Sequence, residues 1–101
     1  MSNLGKELSK TIQNLEKIRD SQNPPGNNIL HALDKLYEQQ IDLINAAINT
    51  ATVEYTNAAN SMKEAADKTK GAIDDLAKLE QVLDKVGDAI KKVATLLISV
   101  V

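Results

Sequence analysis

The chain has 101 residues, 12 basic and 14 acidic side chains, a net charge of −2, and no Cys, Trp or Phe. Disulfide bonds and cysteine metal sites are therefore excluded, and neither a basic nucleic-acid surface nor an aromatic base-stacking platform is supported. The apolar content is Ala, Leu, Ile and Val among many charged residues, which is typical of long helices and thin helical bundles. We expect a single all-α domain over residues 1–101.

The first predicted helix covers residues 3–22 and ends at the sequence DSQNPPGNN. Pro24 disfavours helical geometry at the residue before it, and Pro25 and Gly26 extend the break, so residues 23–27 are predicted to form a loop. The apolar residues of this helix recur at steps of four and three, which indicates one buried face. They are Leu4, Leu8, Leu15 and Ile18, with Thr11 in the remaining position and Ile12 on one flank.

The second predicted helix covers residues 28–68 and carries an apolar stripe at three- and four-residue spacing. The stripe comprises Leu30, Tyr37, Ile41, Ile44 and Ile48 and continues through Ala51, Tyr55, Ala58, Met62 and Ala65. A second flank makes the early part of the helix apolar on more than one side, so we expect contact with two neighbouring helices; it comprises Leu33, Leu36, Leu43 and Ala47. We interpret Asn45, Asn49, Thr52, Thr56 and Asn60 as a polar, uncharged face of the same helix.

A turn is predicted at residues 69–71, because Gly71 follows two lysines, as at a helix C-terminus, and Asp74 and Asp75 suit the first turn of a new helix. The third predicted helix covers residues 72–101. Its stripe comprises Leu76, Leu79, Leu83, Val86, Ile90, Val93, Leu97 and Val100. The three helices predict an elongated antiparallel bundle with coiled-coil-like heptad packing. Because the spacing continues unbroken across residues 69–72, one long helix over residues 28–101 is the alternative.

The segment VATLLISVV, residues 93–101, contains no charge. Val93, Leu97 and Val100 extend the stripe, whereas Leu96 and Ile98 lie off it, so the remainder must meet a second helix, another subunit or a lipid surface. The segment is much shorter than the ~20 residues of a membrane span. The N-terminus lacks the apolar core of a signal peptide. We expect a cytoplasmic protein, or alternatively one exported without a cleaved signal peptide.

No side-chain pattern indicates catalysis, a metal site or a cofactor. His31, the single histidine, forms a series with Asp34 and Glu38, but a zinc site normally needs further His or Cys ligands. Acidic rows at four-residue spacing are interpreted as solvated helix faces; they comprise Asp34, Glu38 and Asp42, and Glu80, Asp84 and Asp88. We therefore expect a protein that is not an enzyme.

In layout the chain is similar to small helical proteins of bacterial secretion systems. Residues 1–70 resemble the needle-type subunits, which have two helices around a Pro-containing turn, here NPPGNN, and the overall length is similar to that of the WXG100 proteins, which are leaderless helical hairpins. Pro24 and Pro25 are adjacent, whereas the needle pattern separates its prolines, about 30 residues follow, and the Trp of the W-x-G motif is absent. No residue role is carried over from either family.

The apolar surface exceeds what three thin helices can cover, so the sequence predicts a self-assembling helical interaction module. We expect a homo-oligomer formed through the second helix and the C-terminal half of the third, or binding to another helical protein that covers the tail. A membrane-active protein is the alternative, because the basic pair Lys91 and Lys92 precedes the apolar end. No nucleic-acid partner is expected.

Overall fold

A computed structural model describes residues 3–22 and 24–99. These residues form four α-helices and no strand; the helices are α1 (Leu4–Ser21), α2 (Asn27–Asn45), α3 (Val53–Asp74) and α4 (Leu79–Ser99), with a short 3-10 helix at Leu76–Lys78. The all-α prediction is confirmed. The three-helix count is wrong, because the chain breaks at residues 46–52, inside the predicted second helix. The alternative of one helix over residues 28–101 is wrong for the same reason.

Short polar side chains cause the break between α2 and α3. The side-chain oxygen of Asn49 accepts a hydrogen bond from the Ala51 backbone N–H at 2.9 Å. Thr52 is the N-cap of α3 and accepts from the Tyr55 backbone N–H at 3.2 Å. Such local bonds replace those of a continuous helix. Two residues of the predicted polar face therefore have other roles. Asn49 lies in the connection between α2 and α3, and Thr52 caps α3.

The second break lies four residues beyond the predicted turn. Residues 69–71 are helical, and α3 continues to Asp74. The chain leaves the helix at Asp75, whose carboxylate accepts from the Ala77 backbone N–H at 3.2 Å and caps the 3-10 helix. Gly71 is accommodated inside α3, which costs about 1 kcal/mol relative to Ala. The acidic pair therefore marks the end of α3 and the start of the 3-10 helix.

The four helices form a ring in which α1 and α4 each pack against both α2 and α3. Contacts between α1 and α3 rise together in residue number: Leu4 with Tyr55, Thr11 with Met62, and Asn14 with Ala66. These two helices are therefore parallel. Contacts between α1 and α2 run in opposite order, so that pair is antiparallel. The bundle measures 40 × 22 × 18 Å.

The core combines large side chains of α1 with small ones of α3. The α1 face is buried along its whole length, at Leu4, Leu8, Thr11, Ile12, Leu15 and Ile18. Facing it, α3 buries Ala58, Ala59, Met62, Ala65, Ala66, Thr69 and Ala72. Alanines let the backbones approach closely, and the buried Thr11 hydroxyl donates to the Glu7 carbonyl at 2.9 Å. We call this contact between α1 and α3 the α1–α3 seam. The α2 helix does not contribute to it and packs against α1 and α4 instead.

Candidate interaction surface

The predicted stripe residues of the second and third helices fall into three groups in the structure. The fully buried members are Ala58, Met62, Ala65, Val86 and Val93. A second group is partly buried against the core, namely Tyr37, Ile48, Tyr55, Leu79, Leu83, Ile90 and Leu97. A third group is exposed, namely Leu30, Ile41, Ile44, Ala51 and Leu76. Val100 lies outside the described residues.

The α2 helix is rotated relative to the expected orientation. Its buried apolar residues are Ile29, Ala32, Leu33 and Leu36, so the flank predicted as secondary supplies the core contacts. The first part of the predicted stripe, which we call the α2 stripe (Leu30, Tyr37, Ile41 and Ile44 on α2, and Ile48 just beyond its end), lies at the edge of that core. Ile41 is 60% exposed and Ile44 is 78% exposed. Two large aliphatic side chains thus remain in contact with solvent.

Three polar contacts fix which side of α2 faces each neighbour. On the α1 side, the Tyr37 hydroxyl donates to a Glu16 carboxylate oxygen at 2.7 Å, and the Gln40 amide donates to the Ser9 hydroxyl at 3.1 Å. On the α4 side, the Gln39 amide donates to the Ile90 carbonyl at 2.8 Å. The α2 stripe contains Tyr37 and therefore lies on the side of α2 next to α1.

The bond to Glu16 also affects the ionisation of Tyr37. Donation to a carboxylate favours the neutral phenol, and partial burial acts in the same direction, so the pKa of Tyr37 is raised above its ordinary value. The neighbouring Arg19 guanidinium opposes this shift but does not reverse it. At neutral pH the Tyr37 hydroxyl therefore remains a donor that ties α2 to α1.

An apolar groove of about 330 Å³ opens where α2 ends beside the start of α1 and α3. Its lining includes Leu8, Leu43, Ile44, Ile48 and Tyr55. Gly5 contributes no side chain at its edge, and a Cβ there would meet only the Asn3 side chain, at 3.6 Å. The polar lining groups Ser9 and Gln40 are already bonded to each other. The groove therefore suits an apolar side chain better than a polar ligand.

The end of α4 is partly core and partly surface. Leu96 is buried, Leu97 is half-buried and Ile98 is 73% exposed. The buried residues of α4 are Val82, Val86, Ala89, Val93 and Leu96, one position earlier in phase than most of the predicted stripe. The apolar tail, as far as Ser99, is thus covered on one side by the bundle and uncovered at Ile98.

The spacing of apolar residues does not predict that Gln39 on α2 is buried. Gln39 is 7% exposed, and among residues 3–22 and 24–99 its side-chain oxygen has no hydrogen-bond partner, although its amide nitrogen bonds to the Ile90 carbonyl. The indication in the sequence is its position three residues after Leu36, which places Gln39 on the same flank of the helix as the buried leucines. A buried oxygen without a hydrogen-bond partner weakens the packing of α2 against α4, because the hydrogen bonds to water that it loses on burial are not replaced.

The histidine series does not converge on one point. His31 is exposed and lines a groove between α2 and α4 together with Glu80 and Asp84. Among residues 3–22 and 24–99, no three His, Asp or Glu side chains are grouped closely enough to hold a metal ion. Asp34 and Glu38 are also exposed. The groove geometry therefore adds no support for a metal site around His31.

Charged rows flank the surface formed by α1 and α2. On α1, Lys6, Lys10 and Lys17 are exposed; on α2, Asp34, Glu38 and Asp42 are exposed. Within the described part of the chain, ion pairs join Glu7 to Lys10, Arg19 to Asp20 and Glu64 to Lys85. The acidic row on α2 takes part in none of them.

No helix formed by the described residues is both long and apolar enough to cross a lipid bilayer. No protein-family model, curated protein or solved structure matches the chain.

Proposed function

We propose that this protein is a non-enzymatic helical interaction module that self-associates through the α2 stripe and the C-terminal half of α4. The observation that carries the proposal is the exposure of Ile41 and Ile44, at 60% and 78%, beside an apolar groove. Apolar side chains clustered in this way mark interaction surfaces more often than isolated ones do.

Covering the exposed side chains of this surface contributes measurably to the free energy of association. Burying an Ile side chain completely is worth about 1.5–3 kcal/mol, so covering the exposed parts of Ile41 and Ile44 contributes about 2–4 kcal/mol. Each 1.4 kcal/mol changes a dissociation constant about tenfold. Covering these two side chains therefore lowers the dissociation constant of an oligomer by about 30-fold or more.

The proposal includes α4 because its apolar surface extends beyond the bundle core. The buried residues of α4 face the bundle's own core, so a partner would meet the apolar side chains that lie beside them. Leu97 and Ile98 continue the apolar surface on the side that the bundle covers less. A second copy of the chain that contacts both α2 and α4 would remove more apolar area from water than either helix offers alone.

The test is molar mass by light scattering over a range of concentrations, on the wild type and on the double variant Ile41→Gln with Ile44→Gln. Both positions are exposed and Gln is a good helix former, so the fold should be retained, which far-UV circular dichroism checks. We expect an oligomer for the wild type and a dissociation constant raised about 30-fold or more for the variant.

The matched control is Val53→Gln, which removes another exposed aliphatic side chain, 70% exposed, at the start of α3. We expect this variant to associate like the wild type. A wild type that stays monomeric at every concentration, or a double variant that associates as tightly as the wild type, would refute the proposed function.

A further inference from the structure

The four helices form two hairpins that lie side by side, α1 with α2 and α3 with α4. Three hydrogen bonds between the hairpins join residues 51 positions apart: Leu4 with Tyr55, Thr11 with Met62, and Gln39 with Ile90. Each hairpin is antiparallel and α1 is parallel to α3, so α2 is parallel to α4. One interface, made of the α1–α3 seam and the contacts of α2 with α4, therefore joins the hairpins.

The connection at residues 46–52 joins two helices that do not form an interface with each other. In the ring, α1 and α4 lie between α2 and α3, and no extensive contact of the described residues links α2 to α3. The bonds within the connection are short-range; the Thr52 hydroxyl, for example, donates to the Asn49 carbonyl at 3.1 Å. Asn49, Thr50 and Ala51 are exposed, and Ile48 is partly buried against the core. Opening the connection therefore disrupts few contacts within either hairpin.

The apolar spacing continues through the connection from α2 into α3. Steps of three and four join seven residues, namely Ile41, Ile44, Ile48, Ala51, Tyr55, Ala58 and Met62. The connection contains neither Gly nor Pro, and Ala58 and Met62 are buried in the α1–α3 seam. If residues 46–52 became helical, the exposed Ile41 and Ile44 would extend the buried face of α3 along one helix. The sequence is therefore compatible with a second state in which α2 and α3 are one helix.

Such a joined helix excludes the four-helix bundle within one chain. It would cover residues 27–74 and extend ~72 Å, whereas the bundle is 40 Å long. The two hairpins of one chain would then lie at opposite ends of the helix, and each would expose the surface that the other covers in the monomer. The surface that matches it is the other hairpin of a second copy.

We propose that the connection becomes helical in a dimer whose two chains exchange hairpins, so that α1 and α2 of each copy pack on α3 and α4 of the other. This inference rests on the proposed self-association and specifies how the second copy is bound. The exchange rebuilds the α1–α3 seam and the contacts of α2 with α4 between chains. The free energy of the dimer relative to two monomers therefore depends on the connection and on the junction of the two bundles.

The junction lies at the end of the bundle that carries uncovered apolar residues. The twofold axis of this dimer passes between the two connections, so the two bundles meet end to end there. Ile44 is next to the last residue of α2, and Gln39 lies level with Ile90, which places Ile98 at the same end of the bundle. Ile44 and Ile98 are both exposed in the monomer. Both α2 and α4 therefore contribute apolar surface to the junction.

A single position, Val53, separates the two states. It is the first residue of α3, where Pro is favoured because the backbone N–H has no partner within the helix. The preceding residue, Thr52, has an extended backbone with ψ 157°, which suits a residue before Pro. In the joined helix residue 53 is interior, and Pro breaks a helix there. Val53→Pro should therefore retain the monomer and weaken the dimer at least about 100-fold.

The experiment measures molar mass by light scattering on the full chain, refolded from urea over a range of concentrations so that exchange reaches equilibrium. Val53→Gln is the matched control, since it removes the same side chain but permits a continuous helix, and we expect it to dimerise like the wild type. The double variant Asn49→Ala with Thr52→Ala removes the bonds that end the helix, so we expect a dimer at least about tenfold tighter. Circular dichroism checks that each variant is folded.

Engineered cysteines identify which chains are paired, since the chain has no Cys of its own. Asn14 and Thr69 are hydrogen-bonded between the hairpins at 3.1 Å, so Asn14→Cys with Thr69→Cys should crosslink between chains in the dimer fraction. Ser9 and Gln40 are bonded within one hairpin, so Ser9→Cys with Gln40→Cys should crosslink within a chain. Electrophoresis in SDS without reductant distinguishes the two products.

A dimer fraction that crosslinks Asn14→Cys to Thr69→Cys only within chains, or an oligomer that Val53→Pro does not weaken, overturns the exchange of hairpins. If that oligomer still depends on Ile41 and Ile44, the proposed function stands. A wild type that is monomeric at every concentration overturns both.

Discussion

The α1–α3 seam and the contacts of α2 with α1 and α4 differ in how completely they bury apolar side chains. At the seam, alanines of α3 lie against the large side chains of α1, and the Asn14 amide donates to the Ala66 carbonyl at 3.0 Å and to the Thr69 hydroxyl at 3.1 Å. Both helices bury their apolar faces there. The α2 helix also buries a face, but keeps Ile41 and Ile44 exposed and holds Gln39 with an unsatisfied oxygen.

The difference follows from side-chain size. Small residues let two backbones approach until all the intervening surface is covered, whereas α2 carries large aliphatic side chains on two flanks and has room to bury only one. The seam is thus the more completely buried part of the molecule. The outer surface of α2 keeps apolar area that a partner could cover.

The largest effect that separates the two regions is expected from matched leucine truncations. Leu15 is fully buried in the α1 face, whereas Leu30 in the α2 stripe is 37% exposed. Leu15→Ala should lower the free energy of unfolding by about 3 kcal/mol, because it removes buried methyl groups and leaves a cavity. Leu30→Ala should cost about 1 kcal/mol or less in the monomer.

Urea denaturation followed by circular dichroism measures both values, and the comparison should be made at a concentration where the protein is monomeric. Equal losses of stability for the two variants would mean that α2 is held as firmly as the α1–α3 seam, and the contrast between the two regions would be lost.

The sequence was a good guide to α1 and a poorer one to α2. On α1 the apolar residues form a single face between clear end signals, so every member of the predicted face is buried. On α2 both flanks are apolar, and which one is buried depends on where α1 and α4 lie. That information is tertiary and is not present in the local spacing of Leu, Ile and Tyr residues.

The break at residues 46–52 and the phase of α4 were missed for local reasons. Asn49 and Thr52 are compatible with a helix surface, and only their bonds to neighbouring backbone groups identify a connection. On α4, adjacent apolar pairs such as Val82 with Leu83 and Leu96 with Leu97 allow two phases that differ by one residue. The candidate surface on α2, which the spacing predicts as core or interface, lies at the edge of the core.

A smaller effect is expected at the glycine inside α3. Gly71 is helical and exposed, and apart from its chain neighbours and the backbone of its own helix, no atom of the described residues lies within 4 Å of the position that a Cβ would occupy. Gly71→Ala should raise the free energy of unfolding by about 1 kcal/mol, because Ala loses less backbone entropy in a helix. This corresponds to a rise of about 4–8 °C in Tm, which differential scanning calorimetry measures.

The control is Gly26→Ala at the N-cap of α2, where Gly is preferred to Ala and no stabilisation should follow. If Gly71→Ala destabilised the protein, α3 would have to be distorted at that point, and the close packing of α3 in the α1–α3 seam would come into question.

The smallest effect concerns pH and the attachment of α2 to α1. The pKa of Tyr37 is raised in the folded state, chiefly by its bond to Glu16, above the value of about 10 that it has in the unfolded chain. Below pH ~10 both states hold the phenolic proton and the contribution of this bond to stability is fully present. As the pH rises from there through the folded-state pKa, the unfolded state loses its proton first and this contribution to stability declines.

Tyr37→Phe removes the titrating group and should flatten this part of the stability curve above pH ~10 while leaving the remaining pH dependence unchanged. Urea midpoints measured on both proteins between neutral and alkaline pH give the difference curve. A constant difference throughout would show that the Tyr37–Glu16 bond does not distinguish the two protonation states. The attachment of α2 to α1 would then depend on apolar packing and on the bond between Gln40 and Ser9.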